Sequence, residues 1–462
     1  MTLFSFNPIK LANKPQTNTS LSFISHHFML TLHLVFKVYM EKIVYRFTLL
    51  LFCMLLSIQH LHAAGEKSDS DSTFMQFLQQ KGVRITHGNS VRLLKSGEEK
   101  FEDMFAAIQQ AHHYIHLEYF NFRNDSIASK LFALLKQKAD EGVKVRAMFD
   151  AFGNWSNNRP LKNKHLKELR RQGIEIIKYD PINFPYIGDV LCRDHRKIVV
   201  IDGQIAYTGG MNVADYYIEG LPEVGPWRDM HIRIEGPAVD DLQRIFLTMW
   251  EKATDEDFTT DTLFYPIKNA AGYNLPPAID SVTIGVVDRV PYKQPKLMRE
   301  AYAQAILDAK EKIELINPYF IPTRKVRRAL KKAAQKGVDV QIMISSKGDI
   351  PFTPDASFHV ARQLMKKGAT IYQFDGGFHH SKIMMIDEKF CTVGSTNLNS
   401  RSLRYDFEVN AFIFDHRVTA ELTDMFNEDK KQSTIMTDET WKQRSPWRRF
   451  VGWFANLLTP FL

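Results

Sequence analysis

The chain has little cysteine. Three residues in 462, Cys53, Cys192 and Cys391, cannot build a disulfide framework. Cys192 and Cys391 lack metal-ligand spacing, so no zinc site is expected. The chain also lacks an uninterrupted apolar run of bilayer length. Phe47 to Ile58 supplies twelve uncharged, mainly apolar residues, against the roughly 20 that a spanning helix needs. Acids are outnumbered by bases, 52 to 60, which gives a formal charge of +8 and a pI near 9.1. That balance favours anionic partners, either nucleic acid or acidic lipid surfaces, and says nothing of fold. What is present is ordinary for a globular chain: 44% apolar and 24% charged residues, and length for two or three domains or one duplicated one.

The amino end reads as a targeting segment over residues 1–64. Met40 to Arg46 is a short basic lead, the apolar run follows, and His62-Ala63-Ala64-Gly65 ends it with small residues, the build of a secretory signal. Extending the run to Ala64 makes an uncleaved anchor, at the cost of including His60 and His62. A second apolar patch, Leu21 to Phe36, leaves Met1 or Met40 as the start. Lys37, Lys42 and Arg46 precede the main run, which places the bulk of the chain outside the cytoplasm, at the cell membrane.

Residues 65–80 read as a polar linker, after which strands and helices alternate. Tyr114 to Phe120 and Val143 to Asp150 are predicted strands around a helix from Ser126 to Glu141, which Gly142 closes. The order recurs in Ile313 to Phe320, a helix from Lys325 to Lys336 closed by Gly337, and Val338 to Ile344. Tyr119-Phe120 is thereby matched with Tyr319-Phe320, and the extra length of the first half is placed between Phe152 and Leu191. This is an α/β chain of two duplicated half-domains, 81–260 and 282–430, joined by a linker over 261–281. Each is expected to be a mostly parallel sheet flanked by helices.

One motif occurs twice. His195-Arg196-Lys197 leads to Asp202, then Gly209-Gly210 and Asn212; His380-Ser381-Lys382 leads to Asp387, then Gly394-Ser395 and Asn397. Seventeen residues separate His from Asn in each copy. Read as a strand, His195 to Ile201 puts His195 and Lys197 on one side, and His380 and Lys382 likewise. Asp202 and Asp387 stand at an odd offset. They belong to the motif but are read as structural members, fixing a turn, and not as acids in the reaction.

Two His with two Lys suit a phosphodiester. Lys holds the non-bridging oxygens as phosphorus becomes five-coordinate. Asn212 and Asn397 would add neutral donors, while Gly210 and Ser395 would let backbone approach the phosphate. One neutral His can attack phosphorus, and the other can protonate the leaving alcohol and then activate the incoming one. Neither a metal nor any other cofactor is called for. Each ring needs an acceptor on its far nitrogen. Asp229, downstream of His195, and Glu408, downstream of His380, are the expected orienting acids.

The doubled His-x-Lys-x4-Asp pattern resembles the phospholipase D superfamily over roughly residues 80–430. Tyr319-Phe320-Ile321-Pro322, Tyr207 to Asn212, Pro226-Trp227-Arg228-Asp229 and Ile232 to Pro237 resemble bacterial cardiolipin synthases. The resemblance implies two facing half-domains sharing one active site and ping-pong transfer of a phosphatidyl group through phosphohistidine. It further implies His195 as nucleophile and His380 as acid, with two phosphatidylglycerols giving cardiolipin and glycerol. Such synthases begin with two clear membrane helices, which this amino end does not match.

Residues 431–462 are expected to carry an amphipathic membrane-surface helix, with Trp447, Phe450, Val451, Phe454, Leu457, Leu458 and Phe461 on one stripe. The bland reading docks that helix on the protein's own core. The helix from Thr323 to Lys336 carries Lys325, Arg327, Arg328, Lys331, Lys332 and Lys336, either as a solvated face or as a seat for anionic headgroups. The expected partners are an anionic phospholipid and a membrane surface. A lipid hydrolase or nuclease of the same chemistry is the alternative. A nuclease explains the basic charge but not the two apolar ends, and a non-catalytic lipid-binding module does not explain why both His and both Lys are kept. The sequence is silent on oligomeric state.

Overall fold

The computed structural model describes residues 70–180, 192–254, 256 and 279–457. The targeting segment, the linker at 261–278 and the last five residues lie outside the described residues.

The first half contains strands β1 (Ile85–Leu94), β2 (Tyr114–Tyr119), β3 (Lys144–Asp150), β4 (Ile174–Tyr179), β5 (Ile198–Ile201), β6 (Ile205–Gly209), β7 (Trp227–Arg228) and β8 (His231–Glu235). The second contains β9 (Val282–Arg289), β10 (Lys312–Ile316), β11 (Asp339–Ser345), β12 (Thr370–Phe374), β13 (Phe378–His379), β14 (Ile383–Ile386), β15 (Phe390–Gly394), β16 (Glu408–Phe414) and β17 (Ser433–Ile435). Fifteen of them form one sheet in the order β17-β12-β11-β10-β14-β15-β16-β9-β1-β8-β6-β5-β2-β3-β4. Apart from β17, that order reads the same outward from the central β9-β1 pair in both directions. The duplication is therefore a two-fold repeat about one antiparallel junction. Each half is mixed. β2, β3 and β4 run parallel, as do β10, β11 and β12, which are the strands linked by helices; the inner strands are antiparallel.

The helices are α1 (Ser70–Gln80), α2 (Gly97–Gln109), α3 (Ser126–Asp140), α4 (Ala151–Trp155), α5 (Asn163–Arg171), α6 (Tyr216–Glu219) and α7 (Val239–Thr254). There follow α8 (Leu297–Asp308), α9 (Arg324–Gln335), α10 (Thr353–Met365), α11 (Ser400–Arg404), α12 (His416–Lys430), α13 (Asp438–Gln443) and α14 (Pro446–Leu457). Apolar faces of α2, α3 and α5 cover one side of the first half; α8, α9, α10 and α14 cover one side of the second. A third core, under α7 and α12, runs across strands of both halves, so neither half has an independent core on that side.

Three expectations are revised. Residues 70–80 are a helix and not a linker. Phe74 of α1 is fully buried and stacks on Phe390 at 5.2 Å and meets Phe412 edge-on at 5.1 Å. Burying such a ring is worth roughly 2–3 kcal/mol, which holds α1 on the second half. The repeat is also offset from the expected match. Strand pairing aligns Ile115 against Ile201 and Ile313 against Ile386, so Tyr319 corresponds to Asn121 and not to Tyr119. Gly142 and Gly337 do correspond: both follow a helix with φ near +90°, where a side chain would be strained. Finally, residues 431–462 are not one helix. β17 closes the sheet edge against β12, and α13 precedes α14. α14 is two-sided: Gly452 and Ala455 are buried, and a Cβ on Gly452 would lie 2.4 Å from the Asp355 carbonyl of α10. Trp447, Phe450, Trp453, Phe454 and Leu457 face outward, from 48% to 69% exposed.

Candidate active site

Each motif His sits just before its strand, not within it. The predicted strand over His195 to Ile201 begins only at Ile198, because the residues before it bond to the other half. The His195 N–H donates to the Phe407 carbonyl at 3.0 Å, and the Phe407 N–H to the Arg193 carbonyl at 2.9 Å. The second half repeats this. β13 pairs in parallel with β7, and the His380 N–H donates to the Arg228 carbonyl at 2.6 Å. In both cases the acceptor is the residue preceding an acid. The acids are thereby exchanged between halves: Glu408 Oε1 lies 3.0 Å from His195 Nδ1, and Asp229 Oδ2 lies 2.7 Å from His380 Nδ1. Chain order placed each acid with its own half; the interface reverses that. With Nδ1–H directed to a carboxylate, Nε2 of each ring is left for chemistry.

The Gly-Gly and Gly-Ser pairs lie against these acids. A Cβ on Gly210 would lie 2.1 Å from Asp229 Oδ1. At the equivalent place the Ser395 hydroxyl donates to Glu408 Oε2 and accepts from the Val409 N–H at 3.0 Å. Asn212 and Asn397 are each only 6% exposed, and the Oδ1 of each is buried without a partner among the described residues. They keep unmet hydrogen-bonding capacity beside the motif.

Asp202 and Asp387, the motif's last members, stay out of the centre. Asp202 accepts from the N–H groups of His112, His113 and Tyr114 at 2.8–2.9 Å; Asp387 accepts from Lys310, Glu311 and Lys312 at 2.8 Å. Both have positive φ, 51° and 52°, at the turn closing their strand. Each ties that turn to the start of the neighbouring antiparallel strand, β2 or β10.

Lysine completes each His. Lys197 Nζ donates to the His195 carbonyl at 2.5 Å; Lys382 Nζ donates to the His380 carbonyl and lies 3.0 Å from both ring nitrogens of His380. Burial disfavours the charged form of each of these groups. Burial and Lys197 hold His195 well below the usual imidazole range. Burial and Lys382 bring His380 to about 4 against the pull of Asp229. Burial lowers Lys197 to about 7 and Lys382 to about 8, while it raises Glu408 to about 7 against Lys197. Burial thus disfavours the charged form of both imidazoles. A phosphodiester anion would restore the lysine charges and let one imidazole hold a proton.

Sequence reasoning missed several neighbours. Buried Lys100 places Nζ 3.9 Å from the Phe101 ring and 3.4 Å from the Asn212 carbonyl. Its signal was present: Lys100 lies on the helical stripe of Met104 and Ile108. Tyr319 packs edge-on to His380 at 5.8 Å and donates to Asp349 at 2.7 Å; Phe120 meets His195 at 5.1 Å. Arg196, 1% exposed in its side chain, bridges Glu118 of β2 at 3.4 Å and Asp288 of β9 at 2.5 Å, a further bond across the halves. Nothing in the local sequence marks Asp349 or Asp288.

A duplicated fold with two His-Lys pairs at one inter-half seam defines a phospholipase D-like protein. The chain belongs to the family described as "Cardiolipin synthase, PLD-like domain", which matches residues 104–250 and 302–430. It is 35% identical to cardiolipin synthase 2 of Staphylococcus epidermidis over 82% of this chain and 75% of that protein. It is 36% identical to the major cardiolipin synthase ClsA of Bacillus subtilis over 85% of this chain and 80% of that one. Among solved structures, phosphatidylserine synthase of Haemophilus influenzae shares the fold, with a TM-score of 0.62 at 14% identity over 80% of this chain and 95% of that one.

Proposed function

We propose that this protein is a cardiolipin synthase, transferring a phosphatidyl group from one phosphatidylglycerol to another. The observation that carries the reading is the exchanged pairing, His195 with Glu408 and His380 with Asp229, beside Lys197 and Lys382. His195 Nε2 attacks phosphorus of the donor lipid, while the bond from phosphorus to the glycerol oxygen breaks. His380, protonated, gives its proton to that oxygen and glycerol leaves. The acceptor's glycerol hydroxyl then loses its proton to His380 and attacks the phosphohistidine; the P–N bond breaks and His195 is neutral again. Glu408 and Asp229 hold the two rings throughout. Lys197, Lys382, Asn212 and Asn397 carry the non-bridging oxygens.

The substrates place the work at a membrane surface, with the catalytic unit on the extracytoplasmic side, as the basic lead before the apolar run supports. No described helix is long and apolar enough to cross a membrane. The outward face of α14 supports contact with a bilayer instead: three aromatic rings follow one another, Trp447 to Phe450 at 5.7 Å and Phe450 to Trp453 at 5.8 Å, and Trp rings favour the interfacial zone. The test is purified protein with radiolabelled phosphatidylglycerol in vesicles. Cardiolipin and glycerol should appear in equal amounts. Phosphatidic acid alone would make it a hydrolase, and no lipid product would end the assignment.

A further inference from the structure

We propose that the cleft between α8 and α9 is a second anion site, which takes a phosphate group and is separate from the His195 and His380 centre. The cleft has a volume of about 460 Å³, the size of a small-ligand pocket. Its walls present Arg299 from α8, Arg324, Arg328 and Lys332 from α9, and Arg404 from α11. Among the described residues no carboxylate lines it. The nearby acid Glu300 is already held by Lys81 at 3.0 Å and Lys325 at 3.3 Å. None of the five other cations makes an ion pair among the described residues.

Residues that line the cleft also carry unmet donors. Thr323, which lines the cleft and is 2% exposed, has a buried hydroxyl without a hydrogen-bond partner among the described residues, and so have the Nε–H groups of Arg299 and Arg404. A native fold leaves few buried donors unmade, because each costs the desolvation of the group. Five cations brought together also repel one another at short range. A phosphate relieves both: it accepts several hydrogen bonds at once, and arginine pairs with it through two parallel N–H donors. The groove on the other flank of α9, lined by Lys331, Lys366 and Lys367 with Arg324 and Arg328, continues the positive field. A carboxylate ligand would use the charge but fewer of the donors. The chemistry is shared by a phospholipid headgroup and by free phosphate.

The test uses the whole chain with two probes, dihexanoylphosphatidylglycerol below its micelle concentration and inorganic phosphate, by equilibrium binding at low salt. The native chain should bind probe at two sites, the His centre and the cleft. Arg299→Gln with Arg404→Gln should lose one of them, the affinity falling by roughly tenfold to a hundredfold. If that pair fails to fold, Arg328→Gln with Lys332→Gln, both exposed, replaces it. Lipid bound with no effect of phosphate assigns the site to a headgroup; equal binding of phosphate assigns it to the phosphate group itself. One site in the native chain, or two in the folded variants, overturns the proposal. Cardiolipin formation by the native chain is scored apart, so failure of the cleft and failure of the synthase reading are told apart.

Discussion

Asp229→Asn and Glu408→Gln each remove one carboxylate charge while keeping the side chain's shape. Because the acids are exchanged between halves, their effects should be exchanged as well. Each acid makes one hydrogen bond to an imidazole Nδ1, at 2.7 Å for Asp229 and 3.0 Å for Glu408. A hydrogen bond to a charged group contributes about 1.5–3 kcal/mol, so rates should fall roughly tenfold to two-hundredfold. Where the new amide turns its NH2 to the ring, the reactive tautomer is lost and the fall approaches about 10⁴. The assay uses a phosphatidyl donor with a p-nitrophenol leaving group, which departs without a proton. Formation of phosphohistidine then depends on His195 alone, and its breakdown by phosphatidylglycerol depends on His380. Asp229→Asn should keep the nitrophenol burst, turn over slowly and accumulate acid-labile labelled enzyme. Glu408→Gln should slow the burst itself and accumulate nothing. The opposite pattern would show that each acid serves the His of its own half, and activity within threefold of native in both variants would remove the acids from the mechanism.

Other outcomes follow from the same geometry. With the p-nitrophenol donor, which needs no proton from His380, the pH profile of kcat/KM should be a narrow bell: Glu408 must be ionised, so the rate rises through about 7, and Lys197 and Lys382 must be charged, so it falls past about 7–8. Glu408→Gln should flatten the acid limb, and the kcat profile should extend to higher pH because bound phosphodiester raises both lysines. Asp202→Ala and Asp387→Ala each strand three N–H groups and should lower stability by about 2–4 kcal/mol in denaturant melts, with kcat of the folded fraction changed only a few-fold. Gly210→Ala should displace Asp229 and reproduce the accumulating phenotype of Asp229→Asn, since its Cβ has no room beside Oδ1. Replacing Trp447, Phe450 and Phe454 by Ser should reduce flotation with anionic vesicles at least a hundredfold, at roughly 1–2 kcal/mol per ring, without moving the melting temperature. Unchanged flotation would leave α14 without a membrane role.

Much of the fold was legible locally. Alternating apolar strands, helices closed by Gly142 and Gly337 and the repeated motif sufficed for two α/β half-domains, because those signals are set by side-chain periodicity and backbone conformation over a few residues. The removal of Asp202 and Asp387 from the chemistry followed from strand alternation, although the His lies outside the strand. What local sequence could not carry was anything decided by a partner more than a hundred residues away. The helix at 70–80 looked like a linker because its apolar residues pack on Phe390 and Phe412, far along the chain. Lys100 shares the apolar stripe of Met104 and Ile108, but what encloses it, the Asn212 carbonyl among others, lies over a hundred residues away.

The sequence by itself singled out the candidate groups: two His, two Lys and two Asn doubled at constant spacing, with one acid downstream of each His at unequal spacing, a set suited to a phosphodiester. Only the tertiary structure decided how they are wired. The two-fold seam lays Arg193 to His195 along Phe407, and Phe378 to His380 along Trp227 and Arg228. Hydrogen bonding across that seam carries each acid to the opposite His, and spacing along one chain holds no record of such a crossing.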